Sequence, residues 1–323
     1  MSTPTLFSHP EPAGREALAL SLASLAGRRI YFGTSSWKYP GWMGQIYTAE
    51  RYFTRGRFSQ KKFDETCLAE YAEVFPAVCG DFSFYQFPSD DYWRKLFTGA
   101  PSGLLFAFKV PEMITVRTWP GHARYGARAG QENESFLDAG LLERVFLRPL
   151  APYREQVAAL IFEFGTFPKK TYPGPAEFLG DLDRFLRGLP GGWRYSVEIR
   201  NPEYLGPEYF GCLRERNVAH VFNAWTRMPP LEAQVEIPGA WTADFTVTRA
   251  LLRRGRSYEA AVKTFEPYSH VQDENPEARE AIRAIVRRSL AARQGAFVFV
   301  NNRLEGNAPA TIAGVVEGLS AEG

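Results

Sequence analysis

The run WRYSVEIRN carries Glu198 and Arg200 two residues apart at the end of an apolar segment. Period-two alternation sets Tyr195, Val197 and Ile199 on one face of a strand and Ser196, Glu198 and Arg200 on the other. A carboxylate there suits general acid or base work, and a guanidinium suits clamping an anionic group. The bland alternative is a structural ion pair. FAFKVP ends on Lys109, an amine able to hold an oxyanion or, once desolvated, to act as a base. IFEFGTF adds Glu163, and two carboxylates at a suitable separation would permit glycosidase-like chemistry. VNNRLEGNAP offers Asn301 and Asn302 to substrate hydroxyls or to the loop's own backbone. GTSSWKYPGW offers Ser35 for substrate oxygens and Trp37 as a stacking wall, with Tyr85 as a second wall residue. Arg249 and Arg303 are further anion-clamp candidates. Glu198 and Lys109 are thus the candidate catalytic pair. Arg200, Asn301, Asn302, Trp37, Tyr85, Ser35, Glu163 and Arg249 form the candidate substrate-binding set.

Other chemistries find little support. His9, His122, His220 and His270 lie in no triad or HExxH pattern, and no paired CxxC spacing suggests a metal site. Gly-rich phosphate loops are missing too, so the expected chemistry needs no metal and no cofactor. A net charge of +2 is too mild to demand a nucleic-acid or membrane partner. The cluster Arg249, Arg253, Arg254 and Arg256 reads first as a solvated face. Cys67, Cys79 and Cys212 are widely spaced and odd in number, which implies no disulfide framework and a reducing, cytoplasmic setting. No apolar run is long enough to span a membrane.

These residues need a scaffold, and the chain alternates short apolar strands with amphipathic segments. Eight strands are expected at 29–36, 82–87, 104–109, 157–164, 193–199, 218–223, 241–247 and 295–301. Continuous apolar runs such as VAALIFEF and GAFVFV fit strands covered on both faces. Between them, Phe63, Cys67, Leu68, Tyr71, Ala72 and Phe75 share one helical face, Ser89 caps a helix over 90–98, and Pro175 fits a first turn. Eight such pairs predict an α/β fold, a single (β/α)₈ TIM-type barrel over 29–323. Residues 1–28 form a short N-terminal extension, with an apolar helix over 17–27 closing one barrel end. Strand-to-helix loops are long at 37–62, 110–133 and 248–274, and they hold Trp37, Tyr39, Trp42, Tyr47, Tyr52, Trp119, Tyr125 and Tyr258. In a barrel such loops gather at the face where sites are built, so the mouth should be walled by aromatics.

GTSSWKYPGWMGQIY, FSFYQFP, FAFKVP, SVEIRNPEYL and VFVNNRLEGNAP, in that order, resemble the YecE-like family, domain of unknown function 72, over about residues 29–316. The resemblance implies a TIM-type barrel and a bacterial or archaeal soluble protein, but supplies no established reaction. It falls on Gly33, Thr34, Ser35 and Trp37; on Phe84, Tyr85 and Pro88; on Lys109 to Pro111; on Glu198 and Arg200; and on Asn301 and Asn302. Two departures stand out. Val78-Cys79-Gly80-Asp81 replaces a family Val-Glu-x-Asn pattern, so a carboxylate is missing at Cys79. The usual Arg-x-His-Gly ending is also absent near Arg249.

The leading expectation is an enzyme, of hydrolase, lyase or isomerase type, acting on a small polar or anionic substrate such as a sugar phosphate or carboxylate. Glu198 would move the proton while Lys109 and Arg200 hold the anion. The rival expectations are a nucleic-acid-binding or -processing protein, read from aromatic and arginine-rich loops, and a non-catalytic ligand sensor.

Overall fold

Strand β1 (Ile30–Thr34) is built from alternating large residues and Gly33, and it begins a closed barrel. The remaining barrel strands are β2 (Ala77–Gly80), β3 (Leu105–Lys109), β4 (Val157–Phe164), β5 (Tyr195–Ile199), β6 (Ala219–Ala224), β7 (Phe245–Ala250) and β8 (Gly295–Val300). Each pairs in parallel with its neighbour in chain order, and β8 closes on β1. The computed structural model describes residues 14–320. The described helices of eight residues or more are α1 (Arg15–Gly27), α2 (Gln60–Ala72), α3 (Asp90–Gly99), α4 (Pro175–Arg187), α5 (Pro207–Arg214), α6 (Tyr258–Phe265), α7 (Pro276–Ala291) and α8 (Ala308–Ser320).

Local chemistry explains several boundaries. Ser59 and Ser89 each accept a backbone N–H at the start of α2 and α3, and Pro175 opens α4. Phe63, Cys67, Leu68 and Tyr71 form the buried face of α2, as their spacing predicts.

Two apolar layers result. Between wall and helices lies a large core that includes Phe32, Trp93, Phe106, Phe162 and Ile285. Inside the barrel, small residues on β2 to β4 (Ala77, Cys79, Ala107, Ala159) face large ones on β7 and β8 (Phe245, Phe297, Phe299). That lumen is therefore filled rather than open, and charged side chains gather at its C-terminal mouth.

Two expectations need correction. The second strand is Ala77–Gly80, and residues 82–87 are loop: the aromatic alternation of FSFYQF packs a connection, with Phe82 against Trp93 and Phe108. The seventh strand begins later and runs to Ala250, so Arg249 belongs to the sheet and not to the following loop. Helix α1 packs on the outside of the wall. Its buried Leu22 joins the outer layer, and Arg15 bonds the Glu70 carbonyl and the Glu73 carboxylate around the end of α2. Residues 1–13 of the expected extension lie outside the described residues. No helix among those described is long and apolar enough to cross a membrane.

Candidate functional site

Strand parity sends one side chain per turn of register into the mouth. Above Ala107 stands Lys109, above Ile161 stands Glu163, above Ser196 stand Glu198 and then Arg200, and above Val247 stands Arg249. Asp81, two residues beyond Cys79, comes in from the end of β2. These six form one alternating ion cluster.

Arg249 lies at its centre. Nη1 donates to Glu198 Oε2 at 2.5 Å and to Glu163 Oε2 at 2.8 Å, and Nη2 donates to Asp81 Oδ1 at 3.2 Å. Glu163 Oε2 also receives Lys109 Nζ at 3.0 Å and Arg200 Nη2 at 2.9 Å, so three cations meet on one oxygen. Arg200 returns to Glu198 Oε1 through Nε at 3.2 Å and Nη2 at 3.0 Å. Lys109 Nζ sits 3.9 Å from Asp81 and 3.7 Å from the Phe84 ring centre, while the Arg200 guanidinium lies 3.8 Å from that of Trp225. The cations are thus fixed by carboxylates on one side and aromatic faces on another.

Burial gives these contacts force, because water no longer screens them. For Glu163, burial alone would raise the carboxyl pKa, but Arg200, Lys109 and Arg249 outweigh it and hold the group well below its ordinary range. Burial works against the Arg249 charge, and neighbours led by Glu198 reverse that effect and raise its pKa. Cys79, enclosed beneath the cluster, has its thiol pushed up to about 12 by burial, with Arg249 opposing. It packs there as a neutral side chain.

The three carboxylates differ in access. Glu198 has no exposure and both oxygens are engaged by guanidinium groups. Glu163 is nearly as enclosed, whereas the Asp81 side chain is 40% exposed. Asp81, Phe84 and Trp225 are not among the site residues expected from type and spacing. Asp81 had a usable signal: its parity with Cys79 follows once β2 is placed at Ala77–Gly80. Phe84 and Trp225 lie in loops, where parity carries no information.

Among the described residues, the remaining candidates make no hydrogen bond to the six of the ion cluster. Asn301 Oδ1 accepts the Arg303 N–H, and Asn302 Oδ1 accepts Trp42 Nε1 at 3.2 Å and the Ala308 N–H at 2.8 Å. Both asparagines therefore tie loop backbone and helix start. Ser35 and Trp37 are buried, with the Ser35 hydroxyl and the Trp37 indole N–H unpartnered. Trp42, Tyr47 and Tyr52 are spent in packing against one another and Phe63. Tyr85 is exposed and stacks with Arg124. Arg303 lies over Tyr258. Among the described residues no group of His, Cys, Asp and Glu could hold a metal ion.

An eight-stranded parallel barrel of the TIM type, with an ion-paired polar centre at its C-terminal mouth, is the class that this fold and site define. The family model described as "Protein of unknown function DUF72" matches residues 31–323, and the chain belongs to that family. It is 29% identical over 182 residues to the UPF0759 protein YecE of Escherichia coli (strain K12), a stretch that is 54% of this chain and 50% of that protein. The chain thus spans about half the length of the curated relatives it matches. Among solved structures it is similar to a DUF72 family protein of Thermotoga maritima MSB8, with a TM-score of 0.56 and 18% identity over 91% of this chain and 98% of that one. A DUF72 family protein of Enterococcus faecalis V583 matches with a TM-score of 0.59 and 14% identity over 90% and 95%. Those likenesses bear on the fold.

Proposed function

We propose that this protein is an enzyme acting by acid/base chemistry on a small polar substrate with a carboxylate or phosphate group, bound at the barrel mouth. The observation that carries the reading is the convergence of Lys109, Arg200 and Arg249 on a single carboxylate oxygen, beside the exposed Asp81. An oxygen that gathers three cations marks where a substrate oxyanion gains most from charge-assisted bonds. Lys109 and Arg200 lie nearest the opening and take the anion, while Glu163 and Glu198 keep the cations oriented. Proton transfer, first expected at Glu198, falls better to Asp81, because a general base must reach the proton it moves. Glu198 has no surface from which to do so.

The test is a panel of carboxylated and phosphorylated sugar-like compounds, scored by thermal shift and turnover on wild type, Asp81→Asn and Lys109→Gln. An anion that stabilises wild type should lose that effect in Lys109→Gln. Asp81→Asn should still bind it while turnover falls by about 10²–10⁴-fold. Stabilisation untouched by Lys109→Gln would remove the anion site, and binding without turnover of any compound would favour a sensor.

A further inference from the structure

Beside the mouth, the loop after β3 and the residues after β4 line a cavity of about 510 Å³. That volume lies within the roughly 300–1,000 Å³ typical of small-molecule sites. Its floor is apolar: Trp119, Pro120, Phe167 and Pro168. Two cations, Arg117 and Lys170, stand in its lining, which contains no carboxylate. The nearest countercharge is Glu132, 3.4 Å from Arg117 with its side chain 76% exposed. Exposed pairs of that kind contribute little, so Arg117 remains available to another anion.

The cavity has a fixed frame. Trp119 exchanges backbone bonds with Gln131 and Gly130, which closes the loop tip on itself, and Arg128 lies over the Trp119 ring at 4.6 Å. On the opposite side Thr166 Oγ1 donates to the Arg200 carbonyl at 3.3 Å, tying the wall to the end of β5. Thr115 in the lining is buried and its hydroxyl has no partner. Gly121 and Gly165 also line the cavity, and a Cβ on either would meet nothing within 4 Å. Their missing side chains leave the space open.

We propose that this cavity is a second binding site, distinct from the ion cluster, for a small amphiphilic anion: a flat or acyl apolar body carrying one carboxylate, sulfonate or phosphate. The apolar floor takes the body, with the aromatic faces of Trp119 and Phe167 contributing most of the contact area. Arg117 and Lys170 take the acid group. An uncharged compound of the same shape gains only the first part, and a simple inorganic anion only the second.

Anilinonaphthalenesulfonate and its uncharged counterpart phenylnaphthylamine test this by fluorescence titration of the full chain. Wild type should bind one equivalent of the sulfonate. Gly165→Leu, which fills the cavity, should weaken that binding about tenfold or more, and Gly121→Leu serves if the first variant folds poorly. Arg117→Gln/Lys170→Gln should weaken the sulfonate about tenfold and leave the neutral dye unchanged. Lys109→Gln should alter neither dye, which separates this site from the mouth. The proposal is overturned if both glycine variants bind the sulfonate as wild type does, or if Lys109→Gln is the variant that loses it.

Discussion

Glu198 shows what separates a site residue's direction from its role. Alternation along YSVEIR turns it inward, and it is inward. Its role is set by partners the local sequence cannot announce, because Arg249 lies 51 positions away and bridges to Asp81 at a separation of 168. Only closure of the barrel brings these strands together, so the identities of Lys109, Glu163, Arg200 and Arg249 were legible while their mutual bonding was not. The same holds for Asn301 and Asn302: their Oδ1 atoms accept the N–H groups of Arg303 and Ala308, while Asn302 Nδ2 is buried without a partner. A buried carboxylate between two guanidinium groups is costly to remove from one side, since the cations left behind stay desolvated. Glu198→Gln should therefore lower unfolding stability by roughly 3–5 kcal/mol. Urea denaturation measures this; a loss below about 1 kcal/mol would mean that Glu163 and Asp81 suffice for Arg249.

At the scale of elements, long apolar runs were easy to read and short small-residue strands were not. β4 and β8 are eight and six buried residues and stand out against their flanks. β2 is four residues, AVCG, and its Ala77 and Cys79 share the lumen with Phe245, Phe297 and Phe299. The neighbouring FSFYQF has the stronger β-like composition but lies over the barrel's outer aromatic layer, so tertiary context overrides propensity there. Gly33 records how close β1 and β2 come: a Cβ on it would lie 2.0 Å from the Ala77 carbonyl oxygen. Backbone cannot swing aside as a flexible side chain can. Gly33→Ala should push the two strands apart and cost roughly 1–3 kcal/mol or more, as overpacking does. A variant melting with wild type would show that β1 and β2 separate without cost.

For the whole molecule, two groups on different strands make stability depend on pH in the same direction. His220 on β6 is buried against Tyr209, Phe210 and Phe222, with Tyr209 Oη 3.2 Å from its Nδ1. Burial disfavours the imidazolium and lowers the pKa from 6.5 to about 3. Between those values the unfolded chain takes up a proton that the folded chain refuses. Stability is therefore full above about pH 6.5 and declines as pH falls toward 3, by an amount on the order of a few kcal/mol. Glu163 adds to this from lower pH. Its folded pKa is depressed below the ordinary 4.5, so its contribution is present above about 4.5 and is lost on further acidification. The barrel should thus soften in two stages, with β6 responsible for the first and the mouth for the second. His220→Gln keeps a polar partner for Tyr209 but removes the titrating ring. In urea denaturation from about pH 7.5 to about pH 4, wild type should lose stability from pH 6.5 downward. The variant should stay nearly level until about pH 4.5 and then fall. Parallel curves for the two proteins would show that His220 is protonated in the fold, and the first stage would then need another origin.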